Sequence, residues 1–327
     1  MTTIYLVRHA EAEGNLYRVL HGRYNSIITA QGYRQLSALK RRFLEVDLDA
    51  VYASDLFRAM TTAAALSLPK GLSTRPMAAL EEVDTGVWEC RTWAELAREE
   101  PEMNYNFNKA PDLWQVEGSE TFAQVRERMV GAVRSIAAAH PGGTVAAVSH
   151  GAALRTLLGS LQGMSLREIG QTGHCDNTAV SKLEVEGDQI RVVYRDDGSH
   201  LPQELSTFAG QSWHKSDKAT EPGLWFRRES ETAMTAMLED TEAGQLSFHL
   251  EPDCLLIDRY ELVPALRGKR YGIHPMGQAV HYARAHGRGF IRTPAGDAGG
   301  FFEKYGFIRR PDGLHELDIR LILREIL

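Results

Sequence analysis

The chain has 327 residues, of which 43% are hydrophobic and 24% are charged, and its net charge is −6. This length favours two domains over one, and the composition excludes a membrane-spanning class, since no apolar run approaches the ~20 residues that a span requires. The negative net charge excludes a general attraction to nucleic acid or to an anionic membrane, so any anion binding must come from local clusters of basic residues.

The first 200 residues alternate short β-rich runs with amphipathic helical runs, an order typical of an α/β sheet flanked by helices. Strands are predicted at residues 2–7, 50–54 and 144–149, and a hairpin at residues 178–185 and 189–195. Helices are predicted at residues 31–43, 56–68, 122–140 and 151–158. We therefore expect residues 1–200 to form one α/β domain.

A polar, irregular segment follows, and we predict a linker at residues 201–221. Residues 222–327 return to regular patterns and are predicted to form a second, smaller domain of mixed helix and strand. Its predicted strands are residues 224–228, 245–249, 254–263 and 290–292, and its predicted helices are residues 274–286 and a short one before Gly306.

The three cysteines, Cys90, Cys175 and Cys254, lie far apart and form no CxxC pair. The amino-terminal segment also lacks a basic stretch followed by a long apolar one, which a secretory signal would show. Both features indicate a reduced, cytoplasmic protein.

Basic and imidazole side chains follow the ends of three predicted strands. Arg8 and His9 come directly after the first strand, Arg58 lies on the helix after the second, and His150 follows the strand at 144–149. The carboxyl ends of strands are where open α/β sheets place their ligand sites. An enzyme that transfers the phosphoryl group of a monoester needs a nucleophile, fixed cations and an acid for the leaving oxygen, and this half can supply all three.

Five segments in this order resemble the histidine phosphatase superfamily, which includes the cofactor-dependent phosphoglycerate mutases. They are LVRHAE with Asn15, SDLFRAMTTA around Arg58, LEEVDTGVWE around Glu82, GSETF at 118–122 and VSHG at 148–151. The resemblance covers roughly residues 1–200. It implies a phosphoglycerate mutase-like three-layer α/β/α domain.

The resemblance implies that His9 is the nucleophile and becomes phosphohistidine. His9 must then be neutral at the attacking nitrogen, so its other ring nitrogen is expected to donate to a backbone carbonyl. The phosphoryl group would be bound by residues that offer N–H donors. These are Arg8, Asn15, Arg58, His150 and Gly151.

The resemblance also implies that Glu82 is the general acid, and alignment on Gly86 and Trp88 favours it over Glu81. A bound dianion would favour the protonated form of this carboxyl group. The segment at 21–32 resembles the family stretch beside the phosphate pocket, so Arg23 or Tyr24 is expected to contact the rest of the substrate.

Each of these residues also has a structural interpretation. A lone histidine after a strand is more often a structural residue, Arg58 could pair on its helix, and Glu82 could be an exposed loop acid. Arg23 and Tyr24 could equally be surface residues. The five segments taken jointly favour catalysis.

The other histidines show no spacing typical of metal ligands, since His281 and His286 are five residues apart and do not share a helix face. We therefore predict no catalytic metal and no cofactor for this half. The mutases that resemble it carry longer insertions around the site, so hydrolysis of a small phosphorylated metabolite is favoured over mutase chemistry.

Residues 245–307 resemble an acetyltransferase of the GNAT superfamily, through YELVPALRGKRYG at 260–272, the helix after it and AGGFFEKYGF at 298–307. In that family a glycine-rich turn at a helix amino terminus binds the pyrophosphate of acetyl-CoA. The residues that retain part of this turn are Arg267, Gly268, Lys269 and Gly272.

Functional positions of that family are altered here. Arg270 stands where the motif has its first glycine, Ala295 replaces an asparagine that contacts the cofactor, and Phe302 replaces a tyrosine that protonates the thiolate. The resemblance therefore implies a degenerate GNAT-like domain with a structural or binding role, and the altered positions count against acetyl-CoA as its cofactor.

The main hypothesis is a metal-independent phosphatase that acts through a phosphohistidine on His9. The alternatives are a CoA-dependent N-acetyltransferase with an attached phosphatase, a phosphoglycerate mutase-type phosphotransferase, and a regulatory binding protein that uses both folds as scaffolds.

Overall fold

The computed structural model describes residues 1–209, 223–294 and 296–323. Residues 210–221 of the predicted linker and Ala295 lie outside the described residues. No helix in the described ranges is long and apolar enough to cross a membrane.

Residues 1–209 contain one six-stranded sheet with helices on both faces. Its strands are β1 (Thr2–Arg8), β2 (Ala50–Ala53), β3 (Thr74–Pro76), β4 (Thr144–Ser149), β5 (Val180–Glu186) and β6 (Gln189–Asp197). They lie in the order β3-β2-β4-β1-β5-β6. The first four pair in parallel, and the hairpin of β5 and β6 extends the sheet with antiparallel pairs.

The helices of this region include four short ones, α1, α4, α5 and α8, that the sequence patterns did not predict. The helices are α1 (Glu13–Tyr17), α2 (Ala30–Arg42), α3 (Phe57–Ser67), α4 (Trp93–Glu99), α5 (Pro101–Lys109), α6 (Phe122–Ala139), α7 (Gly151–Leu161) and α8 (Leu166–Ile169). Successive side chains of a strand point to opposite faces, so Leu6 packs with α6 and α7 while Val7 packs with α2 and α3. This arrangement gives three layers.

Residues 223–294 and 296–323 form a second, mostly antiparallel sheet of seven strands. The strands are β7 (Leu224–Arg228), β8 (Ala233–Leu238), β9 (Thr241–Leu250), β10 (Cys254–Leu262), β11 (Phe290–Pro294), β12 (Ile308–Arg309) and β13 (Leu314–Asp318). Its helices are α9 (Ile273–Ala285) and α10 (Gly299–Lys304). The one parallel pair in these residues is β10 with β11, and α9 connects them. The sequence patterns missed β8, β12 and β13.

The two regions share a hydrophobic core. Tyr17 and Val19, which belong to the first region by sequence, are buried among residues of the second sheet and of α9. Helix α9 lies so close to α1 that a Cβ atom on Gly277 would be only 2.6 Å from the Cβ of Tyr17. Only glycine allows this approach.

Residues 201–209, the first part of the predicted linker, pack against the first region. Gln35, which is buried on α2, donates from Nε2 to the carbonyl of Leu205 at 2.8 Å and to the hydroxyl of Thr207 at 2.9 Å. Asp176 accepts hydrogen bonds from Ser206 and from the backbone N–H of Thr207. These contacts bring Thr207 and Phe208 to the cavity described below.

Candidate active site

Two neighbouring parallel strands end side by side and place the two central histidines together. Arg8 lies opposite Ser149 in the pairing of β1 with β4, so His9 and His150 are the next residues beyond the sheet. Their ring centroids are 5.1 Å apart. Strand β2 lies on the other side of β4 and leads into α3, which carries Arg58 to the same edge.

A cavity of about 150 Å³ opens at this edge. Drug-sized ligands occupy cavities of roughly 300 to 1,000 Å³, so this one suits a small ligand. Its lining includes six of the residues assigned to the site from sequence, namely Arg8, His9, Asn15, Arg58, Glu82 and Gly151. His150 is fully buried directly beside this lining, next to His9.

His9 has the protonation state that a nucleophile needs. Its Nδ1 lies 2.7 Å from the carbonyl oxygen of Ala10, so Nδ1 carries the proton and donates it, and Nε2 keeps its lone pair. Burial, together with the nearby Arg58 and Arg8, lowers the pKa of His9 well below its ordinary value. His9 is therefore neutral at physiological pH, with its backbone carbonyl held by Asn177 at 2.8 Å.

Arg58 fixes both His150 and a loop above the cavity. Its Nε donates to Nδ1 of His150 at 3.2 Å, so the proton of the neutral His150 ring is on Nε2. Its two terminal nitrogens donate to the backbone carbonyls of Tyr24 at 2.8 Å and Gly22 at 2.6 Å. Burial lowers the pKa of Arg58 to about 10, which still leaves the guanidinium charged at neutral pH.

Two buried donors at the site have no protein partner among the described residues. One is Nε of Arg8 and the other is Nε2 of His150. Arg8 also donates through Nη1 to the carbonyl of Cys175, and its guanidinium lies 5.4 Å from the ring centre of Phe208. Buried N–H groups are normally satisfied, so such a pair beside charged guanidinium groups indicates a place for an anion.

Asn15 and Gly151 also line the cavity. The Asn15 side-chain oxygen accepts from the backbone N–H of Ala12 at 3.1 Å, which leaves its NH₂ group as a donor. Gly151 begins α7, and a Cβ atom there would lie 3.3 Å from Cζ of Arg8. A side chain at this position would push against the guanidinium, so glycine allows the close packing of Arg8.

Glu82 lines the cavity, and its carboxylate is held at the amino terminus of α7. Oε1 accepts from the backbone N–H groups of Val83 at 3.0 Å and Ala153 at 2.9 Å, and Oε2 accepts from that of Ala152 at 3.1 Å. These three backbone donors fix the position of the carboxyl group at the wall of the cavity.

Arg23 is not brought to the cavity, contrary to the expectation that it contacts the substrate. Its guanidinium is 42% exposed and lies near three carboxylates, with Glu81 at 3.1 Å, Asp84 at 3.4 Å and Glu120 at 3.9 Å. Tyr24 does not line the cavity either. Two other residues of the segment at 21–32, His21 and Ser26, line the cavity.

Several residues that line the cavity were not assigned to the site from sequence. The polar and aromatic ones include Arg18, His21, His174, Thr207 and Phe208. Burial and Arg58 lower the pKa of His21 well below its ordinary value, so this ring is neutral. Thr207 and Phe208 come from the predicted linker, where no local pattern signals a role.

A second cavity lies between the two regions, and one of the residues predicted to bind a cofactor, Lys269, lines it. Its lining includes five basic residues, namely Arg18, Arg34, Lys269, Arg270 and Lys304. Arg267, Gly268 and Gly272 do not line it. Arg270 has a φ of 68°, a left-handed conformation that favours glycine, at the position where the GNAT motif has glycine. Phe302 is buried in the core, 2% exposed.

No group of three or more His, Cys, Asp or Glu side chains in the described ranges is arranged to hold a metal ion.

The model of the histidine phosphatase superfamily (branch 1) matches residues 4–198. The chain belongs to this superfamily. The match confirms the family assigned to the first half from sequence, and with it the phosphoglycerate mutase-like fold of this histidine phosphatase region. It ends at residue 198, so it does not concern the second sheet.

Individual relatives of this chain are named either as phosphatases or as mutases. Phosphoserine phosphatase 1 of Hydrogenobacter thermophilus is 28% identical over 186 residues, which cover 57% of this chain and 88% of that protein. The "Probable phosphoglycerate mutase GpmB" of Klebsiella pneumoniae is 33% identical over 165 residues, which cover 50% of this chain and 76% of that protein. These relatives support a phosphatase or a phosphotransferase.

A solved structure, Bacillus stearothermophilus YhfR, is similar in both sequence and fold. It is 32% identical, with a TM-score of 0.59, and the similar part covers 61% of this chain and 99% of that one. The histidine phosphatase region is therefore comparable in size to a whole protein of this fold.

Proposed function

We propose that the chain is a metal-independent phosphatase that hydrolyses a small phosphomonoester through a phosphohistidine on His9. The observation that carries this proposal is the state of His9, a neutral imidazole whose Nδ1 donates to the carbonyl of Ala10. Beside it lie the two buried, unpartnered N–H donors of Arg8 and His150. The lone pair on Nε2 of His9 can attack phosphorus, and the neighbouring N–H donors and guanidinium charges can bind the oxygens of the phosphoryl group.

The reaction proceeds in two steps. Nε2 of His9 attacks phosphorus in line with the ester bond, that bond breaks, and the leaving oxygen takes a proton from Glu82. Water then attacks the phosphohistidine while Glu82 takes a proton from it, and the N–P bond breaks to give phosphate and free His9. The donors of Arg8, Arg58, Asn15 and His150 hold the equatorial oxygens, where charge is spread in the transition state.

Hydrolysis is favoured over mutase chemistry because the mutases that resemble this region carry longer insertions around the site, which hold and reorient a phosphorylated intermediate. Phosphoserine is a sensible first substrate to test, given the name of the Hydrogenobacter relative.

The test follows the fate of the phosphoryl group. Purified protein is incubated with p-nitrophenyl phosphate, phosphoserine and 3-phosphoglycerate in the presence of EDTA. We expect release of inorganic phosphate. Conversion of 3-phosphoglycerate to 2-phosphoglycerate without phosphate release would show a mutase instead.

Replacing Glu82 with glutamine removes the proposed acid, and its effect should depend on the leaving group. An alkoxide leaving group needs a proton, so we expect kcat/KM for an alkyl phosphate to fall by about 10²-fold to 10⁴-fold. Nitrophenolate is stable without a proton, so hydrolysis of p-nitrophenyl phosphate should fall far less.

Glu81→Gln is the matched control for Glu82→Gln. Glu81 is the adjacent carboxylate, lies outside the cavity lining and pairs with Arg23. We expect Glu81→Gln to leave both substrates nearly unaffected. An equal loss in the two variants, or a loss in Glu82→Gln that is the same for both substrates, would remove Glu82 from the role of acid.

We propose in addition that residues 222–327 form a degenerate GNAT-like domain without transferase activity. Burial of Phe302 in the core and the left-handed backbone of Arg270 in the turn support this. Calorimetric titration with acetyl-CoA is expected to give no heat of binding, and micromolar binding would instead favour the acetyltransferase alternative.

A further inference from the structure

An arginine of the second region makes a buried ion pair with the helix that follows the nucleophile. Arg284 lies on α9, and its terminal nitrogens bind both carboxylate oxygens of Glu13 on α1, at 2.6 and 2.9 Å. The Glu13 side chain is 3% exposed and that of Arg284 is 16% exposed. Such bidentate pairs are geometrically specific, and removing one partner leaves the other charge buried and uncompensated.

Arg284 also reaches the loop formed by residues 21–25, here called the 21–25 loop. Its Nη1 donates to the hydroxyl of Tyr24 at 3.3 Å and to the carbonyl of Asn25 at 3.4 Å. Its Nη2 donates to the carbonyl of Ile319 at 2.7 Å, which ties the same guanidinium to the end of the second sheet.

The 21–25 loop is held from its other side by the phosphate site. Arg58 donates to the carbonyls of Tyr24 and Gly22 in this loop. The side-chain oxygen of Asn25 accepts from the backbone N–H of Phe57, the first residue of the helix that carries Arg58. Tyr24 and Asn25 therefore stand between the two arginines, and each of them contacts both Arg284 and the helix of Arg58.

Helix α1 is held in the same way. It carries Glu13 and, two residues later, Asn15, which lines the cavity beside His9. Gly277 on α9 allows the two helices to approach closely, as described above. The ion pair with Arg284 joins α1 to α9 two residues before Asn15.

We propose that Arg284 is a positioning residue of the phosphatase site, through which the second region holds α1 and the 21–25 loop in the geometry that Asn15 and Arg58 need. The proposal rests on the proposed phosphatase function for its kinetic test, and it makes a separate prediction about the loop itself. The second region then contributes to catalysis by holding the site in place, and it carries out no reaction itself.

The experiment compares Arg284→Ala with a matched interface variant, Arg98→Ala. Arg98 also pairs across the two regions, with Asp240 at 2.8 Å, and its guanidinium lies 4.2 Å from the ring centre of Trp225. No hydrogen bond or ion pair joins Arg98 to the 21–25 loop in the part of the chain that the structure describes. Full-length variants are assayed with p-nitrophenyl phosphate well below their melting temperatures, and kcat and KM are measured separately.

We expect kcat/KM to fall about 10-fold to 100-fold in Arg284→Ala, with kcat contributing to the loss, because small displacements of substrate-positioning groups are costly. Arg98→Ala should stay within about two-fold of wild type, since surface ion pairs contribute little. Arg284→Lys should recover part of the activity, because it restores the charge but not the bidentate geometry.

A double variant keeps the test decisive if the single variant does not fold. Glu13→Ala with Arg284→Ala leaves neither charge of this ion pair buried without its partner. Its kcat/KM should fall by the same factor, about 10-fold to 100-fold, because α1 and the 21–25 loop lose their contacts with Arg284. Wild-type-like kcat/KM in this double variant would overturn the proposal.

Hydrogen exchange of the 21–25 loop separates this inference from the phosphatase function. The backbone N–H groups of Arg23 and Tyr24 donate to the carboxylate of Glu89 and should be protected in wild type. We expect faster exchange there in Arg284→Ala but not in Arg98→Ala. Unchanged exchange would overturn the positioning role. A wild type without phosphate release, but with this exchange pattern, would instead overturn only the proposed function.

Discussion

Replacing His9 with alanine is expected to abolish both phosphoryl transfer to the protein and catalytic turnover. Without the imidazole no covalent intermediate can form, and loss of a catalytic nucleophile typically costs about 10⁴-fold or more in rate. A ³²P-labelled phosphomonoester should leave acid-labile, base-stable label on the wild-type protein, as expected for an N–P bond, and no label on the variant.

His286→Ala is the control for this labelling experiment. His286 belongs to the second region, just beyond α9, and its ring stacks on that of Tyr282. Both residues are far in sequence from the strands that carry the site. This variant should label like wild type. Label that persists in His9→Ala would show that another residue accepts the phosphoryl group, and the proposed mechanism would then be wrong.

Replacing Arg58 with lysine is expected to cost about 10²-fold to 10³-fold in kcat/KM, although the positive charge is kept. Three different nitrogens of the guanidinium donate to Nδ1 of His150 and to the carbonyls of Tyr24 and Gly22, and the single nitrogen of lysine cannot occupy all three positions. His150 would lose the bond that fixes its tautomer, and the 21–25 loop would lose its anchor.

Arg155→Lys is the matched control for this substitution. Arg155 is also buried and donates to the backbone carbonyls of Gly170 and Thr172 at 2.8 and 2.7 Å, but it does not line the catalytic cavity. Both variants should lose thermal stability, and only Arg58→Lys should lose most of its activity. A comparable loss of activity in both would mean that Arg58 acts through folding stability alone.

The residues at the strand ends could be predicted because their positions depend on local features of the sequence. A strand of the parallel sheet ends just before His9, another ends just before His150, and these two strands are adjacent and in register. Arg58 follows a third strand on an adjacent helix. The family motifs preserve these short-range relations, so they could be recognised from sequence before the fold was described.

The interaction partners of the loops could not be predicted in the same way. Arg23 was expected at the substrate from its place in a loop, but Glu81, Asp84 and Glu120 surround it in the folded protein. These carboxylates come from segments about 60 to 100 residues away. No pattern near Arg23 indicates that its charge is already paired.

The secondary structure of the second region was also only partly predictable from local sequence patterns. Its helix α9 and strands β10 and β11 were predicted from clear patterns, whereas β12 has two residues and only becomes a strand by pairing with β13. Strand pairing over long sequence separation depends on which surfaces meet in the folded chain, and local propensity indicates it weakly.

The sequence by itself determined the superfamily of the first half and the catalytic edge of its sheet, because strand ends and short motifs are encoded within a few residues. Only the tertiary structure decided that Thr207 and Phe208 close one side of the cavity and that Arg284 binds Glu13 across the interface. Thr207 and Phe208 lie about 200 residues after β1 in the sequence, and Arg284 lies about 270 residues after Glu13. The first contact exists because residues 201–209 pack on α2 and Asp176, and the second exists because the two regions share a core. Neither kind of packing has a local signature in the sequence.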